Sequence, residues 1–189
     1  MDQTARAWEL LASAEMIHSA EAVDAAIDRV AAEIAARLKD QYPLVLSVMG
    51  GAVVFSGRLL PKLNFPLEFD YIHASRYGSA TSGGTIDWKV EPKGNVAGRV
   101  VLVLDDILDV GHTMLAIRQR VLGLGASAFY CAVLTDKKKS RSKPIDADFV
   151  GLSLPDRYVF GCGMDVHGAW RNLPAIYALR ETGDGAASG

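Results

Sequence analysis

The sequence predicts an α/β fold: a mostly parallel sheet flanked by helices. Two observations carry that expectation. Short apolar runs alternate along the chain with segments of helical periodicity, and several of the runs, "LVLSVM" (44–49) and "VVLVL" (100–104) among them, have no polar alternation. A strand apolar on both sides must be covered on both sides, as in a parallel sheet with helices on each face. Half of the 189 residues are hydrophobic. A chain of this length buries roughly 70% of its unfolded surface, enough for one domain with a real core.

The elements follow in order. Helix comes first: from Ala20 to about Asp40, Val23, Ile27, Val30, Ile34 and Leu38 recur three or four residues apart, which makes one apolar stripe. Ser19 is placed to cap it, and Pro43 closes the segment. "LVLSVM" is a buried strand, and "GGAVVFSGRLLPKL" a glycine turn into a second helix. "PLEFDYIHASRY" reads as a further strand from its β-branched and aromatic residues. Residues 78–98 hold Gly, Ser, Thr and Pro and are expected to be a long mobile connection, a length at which loops are functional or disordered. The strand 100–104 follows, then a helix from about Thr113 to Leu124, with Leu115, Ile117, Val121 and Leu122 near one face. "SAFYCAVLT" and "DFVGLSL" supply two more strands, and the small polar tail "TGDGAASG" is expected to be disordered.

The formal net charge of −2 argues against a nucleic-acid surface as the main business. Cys131 sits in an apolar run and Cys162 between two glycines. They read as reduced thiols rather than a disulfide framework, which points to a cytoplasmic protein. No basic segment leads into an apolar core at the N-terminus, so no secretory signal is expected. No apolar run approaches the ~18 residues of a membrane span.

The most informative stretch is "VVLVLDDILDVGHT" (100–113). Asp105 and Asp106 follow the apolar run at once, and Asp109 leads into a turn with Gly111, His112 and Thr113. That turn has the composition of an anion cradle, since the next helix offers unpaired N–H groups and a positive dipole end. A turn with a capping threonine is the bland alternative, and the acids weigh against it. Like charges ~4 Å apart repel by roughly 1–4 kcal/mol depending on screening, and a phosphate would add to this. Compensation by a divalent cation, by sugar hydroxyls or by both makes sense of the cluster. Mg²⁺ is the natural candidate, because it bridges carboxylates to substrate phosphates. The stretch therefore points to a phosphorylated sugar with its hydroxyls toward Asp105 and Asp106. No Walker loop occurs in the chain.

This stretch resembles the phosphoribosyl pyrophosphate (PRPP) signature of type I phosphoribosyltransferases. From about Trp8 to Leu179 the chain resembles the hypoxanthine-guanine branch of that family. "WELLASAEMI" is similar to its opening segment and "VMGGAVVFSGRLL" to its pyrophosphate loop. "ASRYGS" resembles the start of its flexible loop, "LTDKKKSRS" its lysine segment, and "LPDRYVFGCGMDVHGAWRNLP" its base-binding hood. The resemblance implies the type I phosphoribosyltransferase fold, with a small hood built from N- and C-terminal segments. One domain would span 1–182, its core about 40–155, its hood about 1–20 and 156–180, with a disordered tail at 183–189.

The resemblance also implies roles. Asp105 and Asp106 would contact the ribose hydroxyls directly or through Mg²⁺, and Asp109 would be the general base toward the imidazole-ring nitrogen of the purine. A carboxylate there can take the proton and steady the oxocarbenium-like centre that pyrophosphate leaves behind; a helix cap is its bland reading. Val110, Gly111, His112 and Thr113 would hold the 5′-phosphate. A run of lysines is ordinarily a solvated loop, but the context "LTDK" selects Lys137 as donor to the purine 6-oxo group, with Lys138 and Lys139 left to solvent. An ammonium donor favours a 6-oxo base over adenine, whose amino group is itself a donor. Tyr158, otherwise a core aromatic, would stack on the base, and Val159 would offer backbone groups to the purine edge. Asp165 matches a carboxylate near a second metal, and Arg171 an arginine that grips pyrophosphate. Met49, Gly50 and Gly51 would bind pyrophosphate, with a cis peptide expected between Val48 and Met49. Tyr77 would begin the lid that excludes water.

Some positions depart from the family pattern. The first acid is commonly Glu where Asp105 stands, Val110 replaces a Thr or Ser, His112 is unusual, and Met49 stands where many relatives carry a basic or polar residue. These departures bear on substrate preference and efficiency. The reading is a Mg²⁺-dependent purine phosphoribosyltransferase that takes PRPP and hypoxanthine or guanine. A homodimer or homotetramer is expected, with neither nucleic acid nor membrane as partner. Two rivals stay open: a non-catalytic nucleotide sensor on the same fold, and a transferase for another base such as xanthine or uracil.

Overall fold

The computed structural model describes residues 2–76, 86–140 and 142–180. Helix α1 (Gln3–Ser13) and strand β1 (Glu15–His18) come before the first helix that periodicity finds. No residue of α1 is fully buried; its apolar residues Ala7, Leu10 and Leu11 are only half-covered. Helix α2 (Ala20–Leu38) buries Val23, Ile27, Val30, Ile34 and Leu38 as expected, and the Ser19 hydroxyl accepts the Ala22 N–H as its cap. Strand β2 (Leu44–Val48), helix α3 (Val53–Leu59) and strand β3 (Glu68–Arg76) follow. Strand β4 (Ile86–Val90) and a short 3-10 turn at Gly94–Val96 occupy part of the stretch expected to be loop. Of that stretch, residues 78–85 lie outside the described residues. Loop composition hid an edge strand here, in which Ile86, Trp88 and Val90 alternate with more exposed residues.

Strand β5 (Val100–Leu108) runs four residues beyond its expected end. Asp105 and Asp106 therefore lie inside the strand rather than beyond it. An apolar run stops at the first charge, whereas backbone pairing does not, and here it continues through Asp105↔Val133 to Leu108↔Asp136. Helix α4 (His112–Gly123), strand β6 (Ala128–Lys137) and strand β7 (Phe149–Leu154) complete the core. The buried face of α4 is Met114, Ile117 and Val121, while Leu122 is exposed. Its true stripe is thus rotated toward Met114 from the one the sequence indicates.

The main sheet has the order β4-β3-β2-β5-β6-β7, parallel throughout except for β4 at the edge. Helices α2 and α3 pack one face with Val45, Leu102, Leu104 and Leu134. Helix α4 packs the other with Leu44, Leu46, Val101, Val103 and Val133. Unbroken apolar strands with both faces covered are what the sequence led us to expect. Beside this core, β1 forms a small antiparallel sheet with β8 (Val159–Phe160) and β9 (Ile176–Ala178), in the order β1-β9-β8. It is woven from the two ends of the chain. No helix among the described residues is long and apolar enough to cross a membrane.

Candidate functional site

The carboxyl end of β5 organises the site, because β2 and β6 flank it and their connections converge there. Asp106 is 7% exposed. Its backbone carbonyl accepts the Thr135 hydroxyl at 2.8 Å, and its N–H donates to Asp105 Oδ1 at 3.0 Å. Burial, with Asp106 alongside, pushes the Asp105 carboxyl well up. Burial raises Asp106 too, against the opposing pull of Asp105 hydrogen bonding and the Arg171 charge. Two adjacent carboxyls that resist ionisation are a place where a cation or hydroxyl donors would be welcome.

Glycine is required on both sides of Asp106. A Cβ on Gly51 would lie 2.2 Å from Asp106 Oδ2, and one on Gly163 would lie 2.0 Å from the Gly51 carbonyl oxygen. The turn after β2, the strand β5 and the hood segment thus touch backbone to side chain. Gly163 was missed in the sequence, although the pair of glycines in "GCGMD" was a usable signal.

The turn Asp109–Thr113 opens α4 as the sequence implied. Gly111 adopts a left-handed conformation at φ 82° and caps the helix, which begins at His112. The first N–H groups of a helix have no partner within it. Together with Val48, Ala74 and the stretch Asp105–Met114, they line a cavity of about 280 Å³. Val110, Gly111, His112 and Thr113 all face this space, and Asp105 joins them.

A second cavity of about 270 Å³ adjoins it through Asp106, Ile107 and Asp109. Its wall brings together Lys137, Tyr158, Val159, Met164, Asp165 and Arg171. Tyr158 is 52% exposed, so it is no core aromatic. Its hydroxyl donates to the Asp165 carbonyl at 3.3 Å, which leaves the ring at the rim. Arg171 donates to the Gly163 carbonyl and pairs with Asp165 Oδ1, both at 2.6 Å. Asp165 Oδ2 accepts the Gly168 N–H at 2.8 Å.

Asp109 sits between the cavities with an ammonium on each oxygen. Lys137 Nζ is 3.4 Å from Oδ2, and Lys139 Nζ is 2.9 Å from Oδ1. Burial acts to raise this carboxyl, but Lys139 and Lys137 outweigh it and hold Asp109 below its ordinary range. Lys139 also pairs with Asp156 at 2.5 Å. The expectation that Lys139 is solvated is therefore corrected, while Lys138 is exposed. Lys137 and Lys139 are two residues apart at a strand end, so both project to one side.

Met49 and Gly50 line neither cavity, and of the "MGG" turn only Gly51 reaches the carboxylates. The cis peptide lies between Met49 and Gly50, one bond later than expected. The Met49 N–H still donates to the Ile72 carbonyl at 2.8 Å. Sheet pairing thus keeps the Val48–Met49 peptide extended, and the turn starts after it. Tyr77 lies outside the described residues.

Among the described residues no three His, Cys, Asp or Glu side chains converge as a metal cage. Mg²⁺ needs no such cage, since one or two carboxylates plus substrate phosphates suffice. Asp105 and Asp106 fit that pattern. Asp165 is held by Arg171 and Gly168, and would have to release one of them to take a metal.

Comparison with known proteins agrees with this geometry. The family described as "Phosphoribosyl transferase domain" matches residues 13–167. The chain is 35% identical to a hypoxanthine-guanine-xanthine phosphoribosyltransferase of Tritrichomonas foetus over 170 residues, 88% of this chain and 92% of the relative. It is 32% identical to a hypoxanthine-guanine phosphoribosyltransferase of Bacillus subtilis over 167 residues, covering 88% and 93%. A solved hypoxanthine phosphoribosyltransferase of Trypanosoma cruzi, a mutant in a ternary substrates complex, superposes with a TM-score of 0.82 at 30% identity, covering 89% of this chain and 96% of that one.

Proposed function

The chain belongs to the phosphoribosyltransferase family, in its hypoxanthine-guanine branch, and from that premise we propose that it transfers the phosphoribosyl group of PRPP to hypoxanthine or guanine. The products are IMP or GMP and pyrophosphate, a purine-salvage reaction. One observation supports the reading: Asp109 and Lys137 meet beside Tyr158 in a cavity that adjoins the one lined by the turn opening α4. A base and a sugar phosphate would each have a compartment, with Asp109 at their junction.

In this reading the base lies against the Tyr158 ring, with its 6-oxo group toward Lys137 and its edge toward the Val159 backbone. Asp109 takes the proton from the imidazole-ring nitrogen as the new glycosidic bond forms. Val110, Gly111, His112 and Thr113 hold the 5′-phosphate at the start of α4. Asp105 and Asp106 orient the ribose hydroxyls. Arg171 and the Met49–Gly51 turn receive the pyrophosphate. Bound Mg²⁺ would neutralise charge on PRPP, held by Asp105 and Asp106 and, once Arg171 turns to pyrophosphate, by Asp165.

We also infer a single domain over 1–182, its hood drawn from about 1–20 and 156–180, in a cytoplasmic homodimer or homotetramer. Two free, buried cysteines support the compartment.

Lys137→Ala tests the base side. The loss of a charged donor to a buried carbonyl costs roughly 1.5–3 kcal/mol, or about 10–100-fold in use of a 6-oxopurine, with PRPP binding little changed. Equal losses in both would place the lysine elsewhere.

A further inference from the structure

We propose that Lys139 is a positioning residue for the transfer, an ammonium that ties the Asp109 carboxylate to the hood through Asp156. The inference rests on the role proposed above for Asp109. Lys139 Nζ lies 2.9 Å from Asp109 Oδ1 and 2.5 Å from Asp156 Oδ1, and its side chain is 22% exposed. Asp156 stands two residues before Tyr158, at the entry to β8. One ammonium therefore joins the turn after β5, the segment after β6 and the segment that carries the aromatic ring.

The two lysines have different duties. Lys137 is assigned to the base, and its 3.4 Å pair with Asp109 is the longer one. When Lys137 turns to a 6-oxo group, Lys139 remains to hold the carboxylate. A carboxylate held from one oxygen keeps a lone pair of the other toward the cavity, and orientation of that kind is worth large factors in rate.

The electrostatics agree with the geometry. Against burial, which would raise Asp109, the Lys139 and Lys137 contacts keep it low. Asp109 first and Asp156 second raise Lys139 in return. Lys137 and Lys139 are the charges that pair with Asp109, and Asp106, Asp165, Arg171 and Tyr158 stand around the same cavity. A basic run that is ordinarily solvent-facing thus contains two lysines, Lys137 and Lys139, that point inward.

The test is a set of pH–rate profiles for wild type, Lys139→Met, Lys139→Arg, Asp156→Asn and the Lys139→Met/Asp156→Asn pair, with Asp109→Asn alongside. Lys139→Met is expected to lower kcat about tenfold at unchanged PRPP affinity, and to move the acid limb of the profile to higher pH. Lys139→Arg keeps the charge and should recover most of kcat. Asp156→Asn should add nothing once Lys139 is gone, because it acts through that ammonium. A Lys139→Met profile that overlays the wild type, while Asp109→Asn is inactive, overturns the bridge alone. Full activity in Asp109→Asn would instead reject the role of Asp109 on which the bridge depends.

Discussion

Asp109 shows at residue scale how the site balances opposing demands. Its carboxylate must accept a proton, yet two ammoniums stabilise its ionised form. That makes it a weak base held permanently ready at neutral pH. Asp109→Asn should keep PRPP binding and lower turnover by about 100-fold or more, and unchanged turnover would remove it from the base role. Asp105 and Asp106 show the opposite shift, raised chiefly by burial. A carboxyl with a raised folded-state pKa binds its proton more tightly than in the unfolded chain. It therefore destabilises the fold at neutral pH, and the penalty fades as pH falls through that raised range. Asp105→Asn should consequently melt higher than wild type at neutral pH, by roughly 2–4 °C for each kcal/mol relieved. The gap should narrow on acidification, and a lower melting temperature at neutral pH would show that the acid is structurally needed. The sequence displayed these acids plainly because they interrupt an apolar run. Lys139 was hidden because a lysine triplet looks the same whether or not one member turns inward.

At the scale of elements, the site depends on three segments meeting at β5. Gly163 has φ 106°, and a Cβ there would strike the Gly51 carbonyl oxygen. Gly163→Ala should cost about 1–3 kcal/mol and reduce turnover, because relief of the clash must push the hood away from Asp106. A variant with wild-type melting and activity would mean that the hood tolerates the shift. The core elements were legible where burial writes a period: α2 at 3.6 residues, and β2 and the start of β5 as unbroken apolar runs. Strand β4 is an edge strand in loop-like sequence and left no such signature, while in α1 the apolar spacing is short and no residue reaches the buried core. The continuation of β5 through two acids is held by its ladder to β6. That is a tertiary fact which local composition does not carry.

For the whole molecule, the sheet sets the chemistry by bringing distant segments to one edge. Val48 and Gly51, the stretch 105–113, Lys137 and Lys139, and residues from Asp156 to Arg171 meet at two adjoining cavities. Separately, each of those segments has an ordinary reading as a turn, a cap or a basic loop. Their order along the chain carried the family resemblance, whereas the contacts between them, such as Gly163 on Gly51, needed the fold. The central claim is that these cavities join a 6-oxopurine to a phosphoribosyl group. The measurement that tests it most directly is product formation by the purified protein with PRPP and Mg²⁺, given hypoxanthine, guanine, xanthine, adenine or uracil in turn. The account predicts IMP from hypoxanthine and GMP from guanine, each with one pyrophosphate released, none from adenine or uracil, and loss of both on chelation of Mg²⁺. Nucleotide binding without turnover of any base would contradict it and identify a sensor.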